Sequence, residues 1–264
     1  MSSLPDIDRK KAITRVAGDL NSALRKWNVE PIFFESQTDI QHEGDRSKAM
    51  YLVKSGWVYS YASLADGQRQ ILFLYQAGDI AGLADFCVEQ VSCSMRSLGG
   101  CEVLPIPIGA ITTTDFMTPE IITYFLRKSA QMQSILMRTL TAVGRMEARN
   151  RIVWLILMLH DRLPHTGNGM PTIEIPFNQS EIGDLIGLTN VSVSKTLCQL
   201  SDEGFIERKG NKILIRRPAD LQTMINYESM GFSEGSFLNV KDIPGQKDGR
   251  SRVLRSRKEL SGLN

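Results

Sequence analysis

"QSEIGDLIGLTNVSVSKTL", Gln179 to Leu197, holds two short helical stretches of different character divided by Gly187. Asn178 followed by Glu181 has the pattern of a capping box, and Ile182, Leu185 and Ile186 share one apolar helical face. Gly187 can take the positive φ that ends a helix, Leu188 can tuck into a core at the turn, and Thr189 caps a second helix. Asn, Ser and β-branched Val give that second helix little intrinsic propensity. Its composition makes sense face by face. Val193, Thr196, Leu197 and Leu200 fall on one side, and Asn190, Val191, Ser194 and Lys195 on the other. The stretch predicts a helix-turn-helix with a packed inner face and a short presentable outer one.

Downstream, "FIERKGNKILI" from Phe205 reads as two apolar strands around Lys209-Gly-Asn-Lys212, a hairpin with cations at its tip. Helix, turn, helix and hairpin is the winged helix-turn-helix order, in which the second helix enters a DNA major groove and the wing meets phosphates. Gln179 and Thr189 stand at helix starts, which attract anions, and are candidate phosphate contacts. Asn190 and Ser194 can hydrogen-bond base edges or a phosphate, and Val191 can meet a thymine methyl. Lys195, Lys209, Lys212, Arg216 and Arg217 supply cations for the backbone, which weighs against a winged helix that binds protein instead.

Upstream, from about Val29 to Pro107, short apolar runs such as "MYLVKSGWVYSYA" and "RQILFLY" alternate with turn signals such as Asp66-Gly67. This spacing predicts a small antiparallel barrel or jelly roll. Thr118-Pro119 with Glu120 then starts a helix with no Gly or Pro before Gly144. Ile121, Phe125, Met132, Ile135 and Ala142 form its apolar stripe, interrupted by Lys128 and Thr139. The stripe suits packing on the chain's own barrel or a two-fold dimer seam, and its period alone leaves both open; the dimerisation residues are taken as these five. A further helix from Glu147 to about Leu163 ends before the loop "HTGNGMP". Beyond Phe237 the chain is Gly-, Lys- and Arg-rich, with Lys247, Arg250, Arg252, Arg255, Arg257 and Lys258, and reads as a disordered tail with a modest non-specific attraction to DNA.

The chain has 264 residues, 42% apolar and 23% charged, with a net charge of +2 that does not by itself imply nucleic acid. The longest uncharged apolar run, Ile152 to His160, is too short to span a bilayer, and the polar start lacks a signal-peptide layout; no membrane contact and a cytoplasmic location are expected. Cys87, Cys93, Cys101 and Cys198 have no CxxC spacing, so no metal is expected and the thiols read as reduced and mostly buried. Cys198, on the second helix of the motif, is a candidate redox site close to DNA.

The order of barrel, long helix and winged helix resembles the CRP/FNR family of bacterial transcription regulators, over about Ile32 to Arg217. "EGDRSKAMYLVKSGWV" (43–58), "DGQRQILFLYQAGDIAG" (66–82) and the helix-turn-helix stretch carry the resemblance. It implies a cyclic-nucleotide-binding-like antiparallel β-roll, a long dimerisation helix, and a homodimer on a palindromic double-stranded DNA site, with RNA polymerase as a partner if the protein activates. In cyclic-AMP-binding members a Gly-Glu pair holds the ribose and an Arg-Ser pair the phosphate. Here Gly82 is followed by Leu83, and the Arg-Ser positions fall on Val91 and Ser92. Valine offers an anion no donor, so the effector is not expected to be cyclic AMP. The positions that touch adenine match Leu136 and Met137, so Gly82, Leu83, Val91, Leu136 and Met137 outline a candidate apolar pocket for a hydrophobic effector, with simply filled core as the favoured alternative. No cysteine precedes Cys87, which removes the family's iron–sulfur motif, and His42, His160 and His165 show no axial haem-ligand pattern. No cofactor is expected. Many members carry a glutamate and an arginine where Val191 and Lys195 stand, so the site read should differ.

The expected class is α+β. An amino-terminal helix and β-roll span 1–118, the dimerisation helix 119–146, the winged helix-turn-helix 147–232 and the basic tail 233–264. A sequence-specific, non-enzymatic DNA-binding regulator is the favoured function. The alternatives are a winged-helix protein adaptor and an enzyme with a cupin-like barrel, which the three scattered histidines disfavour.

Overall fold

The computed structural model describes residues 20, 24–25, 28–113, 115–162, 172–174, 177–209 and 212–230. His165, most of the loop after α3 and the basic tail lie outside them.

The fold is α+β. Six antiparallel strands form the roll: β1 (Ile32–Phe34), β2 (Asp39–Gln41), β3 (Ala49–Ser63), β4 (Arg69–Gln76), β5 (Ile80–Ala81) and β6 (Ser94–Pro107). The sheet order is β1-β6-β3-β4, with β2 on β6 and β5 on β3. Its backbone is the pairing of the two long strands, from Ala49 opposite Pro107 to Tyr61 opposite Ser94. A short helix α1 (Ile108–Ile111) leads to α2 (Pro119–Arg145), which Thr118 caps by accepting the Ile121 N–H, with Pro119 at its first position. Next come α3 (Ala148–Arg162), β7 (Thr172–Glu174), α4 (Gln179–Ile186), α5 (Asn190–Asp202), β8 (Ile206–Lys209), β9 (Lys212–Ile215) and α6 (Pro218–Met224). The second sheet has the order β7-β9-β8, so a third strand backs the expected hairpin.

Two apolar cores tie these units together. One packs Ile121, Tyr124 and Phe125 of α2 against Met50, Leu52, Ile80 and Ile106 of the roll, joined by Leu20 and Leu24. The other runs from Tyr59, Ile71 and Phe73 of the roll through Ile135 and Ala142 to α3 and the helix-turn-helix. Every residue of α3 from Ile152 to Leu159 is buried, as expected for a helix apolar all round. Polar bonds reinforce the docking of the helix-turn-helix on the roll. Arg69 donates to Asp184 Oδ2 from Nε and Nη2 at 3.0 and 2.7 Å, and Gln70 donates to Leu185 O at 3.2 Å. Asp79 joins three elements, accepting from Arg162 of α3 at 2.6 Å and from Lys128 of α2 at 2.9 Å. Burial alone would raise the Asp79 pKa, but Arg162, Lys128 and the Gln76 N–H hold it below the ordinary aspartate value.

The α2 stripe read as a dimer seam turns inward. Ile121, Phe125, Ile135 and Ala142 are buried inside the single chain and Met132 is half-buried against the same core, so all five pack on their own protomer. The apolar residues left outside are Ile122, Leu126 (66% exposed) and Leu136, each one position past a buried one, together with Met137 and Leu140 (75%). The thiols also depart from expectation. Only Cys101 is buried, Cys93 is intermediate, and Cys87 and Cys198 are exposed because they fall on outward helical positions.

Candidate nucleic-acid interface

Local chemistry starts α4 where the sequence places it. Asn178 Oδ1 accepts the Glu181 N–H and Glu181 Oε2 accepts the Asn178 N–H, both at 2.9 Å, closing the capping box. Glu181 is buried and spends its other oxygen on the roll, accepting from Gln37 Nε2 at 2.8 Å. The turn that follows needs two glycines. Gly187 adopts φ +64°, the left-handed cap. A Cβ on Gly183 would lie 2.3 Å from Leu188 O, so the chain can cross α4 there only over a glycine. Thr189 Oγ1 then accepts the Ser192 N–H at 3.2 Å and starts α5.

On α5, Val193, Thr196, Leu197 and Leu200 are buried. Asn190, Val191 and Lys195 are exposed, Val191 at 77%, and Ser194 is half-exposed beside them. An apolar side chain so exposed on a helix otherwise covered by polar groups suits contact with a thymine methyl. Gln179 is half-buried at the start of α4, and Thr189 is exposed but engaged in its cap. Cys198 is exposed one turn beyond Lys195.

In the wing, Lys209 of β8 is exposed and pairs with Glu207 at 3.2 Å, while Arg216 holds the same carboxylate. Arg216 and then Lys209 keep the Glu207 pKa below its ordinary value. Lys212 is exposed at the start of β9. Arg149 of α3 grips Glu203 with two hydrogen bonds of 2.7 and 2.6 Å, and Phe205 lies between Arg149 and Arg217, whose guanidinium carbons stand 5.8 and 4.7 Å from its ring centre. These contacts fix the wing against α3 and α5.

The candidate effector residues do not converge within the chain. Gly82 is buried at φ +78° before a 3-10 helix, Leu83–Cys87, and Val91 is buried in the neighbouring turn. Leu136 and Met137 face out of α2, one and two positions past the buried Ile135. A narrow crevice takes in Leu83 but is otherwise lined by residues such as Phe73, Asp79, Lys128, Met132 and Arg162. Ser92, which the resemblance matches to a phosphate-binding serine, is already engaged. Buried Asp85 accepts its N–H at 3.1 Å and its hydroxyl at 3.0 Å through Oδ1, and the Gln41 amide at 3.2 Å through Oδ2.

Sequence reasoning passed over Asp85, Gly183, Gln37 and Arg69. Only Gly183 leaves a local signal, a glycine inside an otherwise sound helix. Among the described residues no group of three His, Cys, Asp or Glu could hold a metal ion, and no helix is long and apolar enough to cross a membrane.

Residues 31–113 match the cyclic nucleotide-binding domain model, and residues 150–224 match the Crp-like helix-turn-helix domain. The chain is 26% identical over 190 residues to the cAMP-activated global transcriptional regulator CRP of Escherichia coli O157:H7, covering 69% of this chain and 87% of that protein. It is 23% identical over 172 residues to electron transport regulator A of Shewanella oneidensis, covering 65% of this chain and 69% of that one. Its fold is similar to that of FixK2 from Bradyrhizobium japonicum, with a TM-score of 0.67 at 23% identity over 74% of this chain and 96% of the other. TTHB099, a regulator from Thermus thermophilus, gives 0.64 at 20% identity over 76% and 99%.

Proposed function

The chain belongs to the CRP/FNR family of transcription regulators, and from that premise we propose that it is a cytoplasmic, non-enzymatic homodimer whose two α5 helices read a palindromic DNA site. It is a DNA-binding transcription regulator; the dimer, the reading residues and the effector are the finer parts of the reading. A division at about 118, 146 and 232 into roll, dimer helix, winged helix and tail fits it.

The observation that carries the reading is the split of α5 into a buried face, Val193, Thr196, Leu197 and Leu200, and an open one, Asn190, Val191, Ser194 and Lys195. Val191, 77% exposed, stands among the polar side chains of the open face, where a thymine methyl can reach it. Gln179, Thr189, Lys209 and Lys212 flank that face as phosphate contacts. The dimer forms through Ile122, Leu126, Leu136 and Leu140, which keep the alternating four- and three-residue steps of a coiled-coil seam once Ser129 and Gln133 fill the gaps. RNA polymerase is the further partner if the protein activates.

Cyclic AMP is not the effector in this reading, because Asp85 places a carboxylate on the donors a cyclic phosphate would need. Selection of bound duplexes from a random DNA pool tests the proposal. It requires an enriched motif with two-fold symmetry and half-sites about one helical turn apart; a pool with no enriched palindrome would sink it. Repeating the selection without reductant, with Cys198→Ser alongside, asks whether the exposed thiol gates binding.

A further inference from the structure

Arg151, one turn into α3, donates to carbonyls from two separate parts of the fold. Its Nε reaches Met146 O at 2.8 Å, and its Nη1 reaches Gly187 O at 3.1 Å and Ile186 O at 3.3 Å. Met146 is the extended residue that breaks α2 from α3. Ile186 and Gly187 end α4 and begin the turn into α5. Carbonyls at helix ends lack intrahelical partners and carry partial negative charge, so a guanidinium that collects them from both ends is well placed electrostatically. The turn also rests directly on α2. A Cβ on Gly187 would stand 3.3 Å from Val143 Cγ1, in the last turn of that helix, and 3.5 Å from Arg151 Nη1. One side chain therefore ties the α2–α3 break to the turn that aims α5.

We infer that Arg151 is a positioning residue that sets which half-site spacing the dimer accepts. This rests on the dimeric reading above. The α2 seam defines the two-fold axis, so any rotation of α5 about the α2–α3 break is repeated by symmetry and moves both recognition helices. Arg151 Nε and Nη1 are held on backbone carbonyls, so its part is to fix the turn rather than to read a base. Lysine at this position keeps the charge but lacks the planar fork that reaches two sets of carbonyls at once.

The test presents the wild type, Arg151→Lys and Arg151→Met with duplexes carrying the selected half-site twice, at spacings graded one base pair at a time. The wild type should favour one spacing. Both variants should stay dimeric and keep the same half-site bases, while their preference for that spacing over its neighbours falls about tenfold. If Arg151→Met does not fold, Arg151→Lys carries the comparison. Variants that keep the wild-type spacing preference overturn the inference alone. A wild type that binds no paired half-sites at any spacing overturns the dimeric reading, and the inference with it.

Discussion

Asp85 and Ser92 form a closed pair in which one carboxylate oxygen accepts both the backbone N–H and the hydroxyl of the serine, at 3.1 and 3.0 Å. The pair is buried on the aspartate side and satisfies donors that an incoming phosphate would otherwise find. Bringing a cyclic phosphate there would set a second anion against the buried Asp85 carboxylate, an unfavourable arrangement. Calorimetric titration with cyclic AMP should therefore give no saturable heat and no rise in Tm. Binding tighter than about 10 μM, worth about 7 kcal/mol, would contradict this account of the roll.

The two faces of α2 should respond differently to substitution. Leu140→Glu and Leu126→Glu place charge on exposed residues, so each should leave the fold intact and yield monomers in sedimentation velocity. Phe125→Ala empties a buried site and should cost about 3–5 kcal/mol of stability without selectively splitting the dimer. Monomers from Phe125→Ala at full stability, or dimers from both Glu variants, would put the seam elsewhere.

The turn of the motif offers a sharper steric test. Gly183→Ala forces a methyl group to within 2.3 Å of Leu188 O, and the obstacle is backbone that cannot swing aside. Thermal unfolding should show a loss of about 2 kcal/mol or more, with DNA binding reduced in parallel. An ordinary helix glycine would instead gain from alanine by about 1 kcal/mol, so the sign of the change decides.

Asp79 ties stability to pH. Its folded pKa lies below the ordinary 3.8, so the stability it contributes is fully present above that value and is lost as pH falls from there through the lower folded value. Asp79→Asn should remove this acid-dependent part, flattening the fall in Tm below about pH 4. At neutral pH the same change leaves Arg162 and Lys128 without their carboxylate and should cost about 3–5 kcal/mol. An unchanged acid profile in the variant would mean that other carboxylates govern the transition.

What could be read in the chain follows from how local each signal is. The α4–turn–α5 unit was legible because Asn178, Glu181, Gly187 and Thr189 act on neighbours within four residues, and the structure keeps every one of those roles. The α2 stripe was legible as a stripe but not as to where it points. Ile121/Phe125/Ile135 and Ile122/Leu126/Leu136 differ by one position, and only the shape of the roll decides which goes inside. β6 runs from Ser94 to Pro107 straight through Gly99 and Gly100, a residue type that more often punctuates strands. Arg151 and Asp85 gave no signal at all. The turn carbonyls that Arg151 holds lie 35 and 36 residues away, and Asp85 takes its role from the folding back of Ser92 and Gln41.

The outer face of α5 should divide base reading from charge. Lys195→Ala should weaken DNA binding about tenfold and lower the salt dependence by about one phosphate contact per protomer. Val191→Ser should leave that salt dependence alone and relax the choice of base at one position of each half-site. Equal affinities for all three proteins would instead favour a winged helix that meets protein.

The most direct measurement is the stoichiometry and affinity of the purified protein on its selected duplex, compared with the same duplex scrambled in one half. Two protomers per intact duplex are expected, with a loss of about a hundredfold or more when one half-site is destroyed. One protomer per duplex, or an affinity unchanged by the scrambled half, would contradict it.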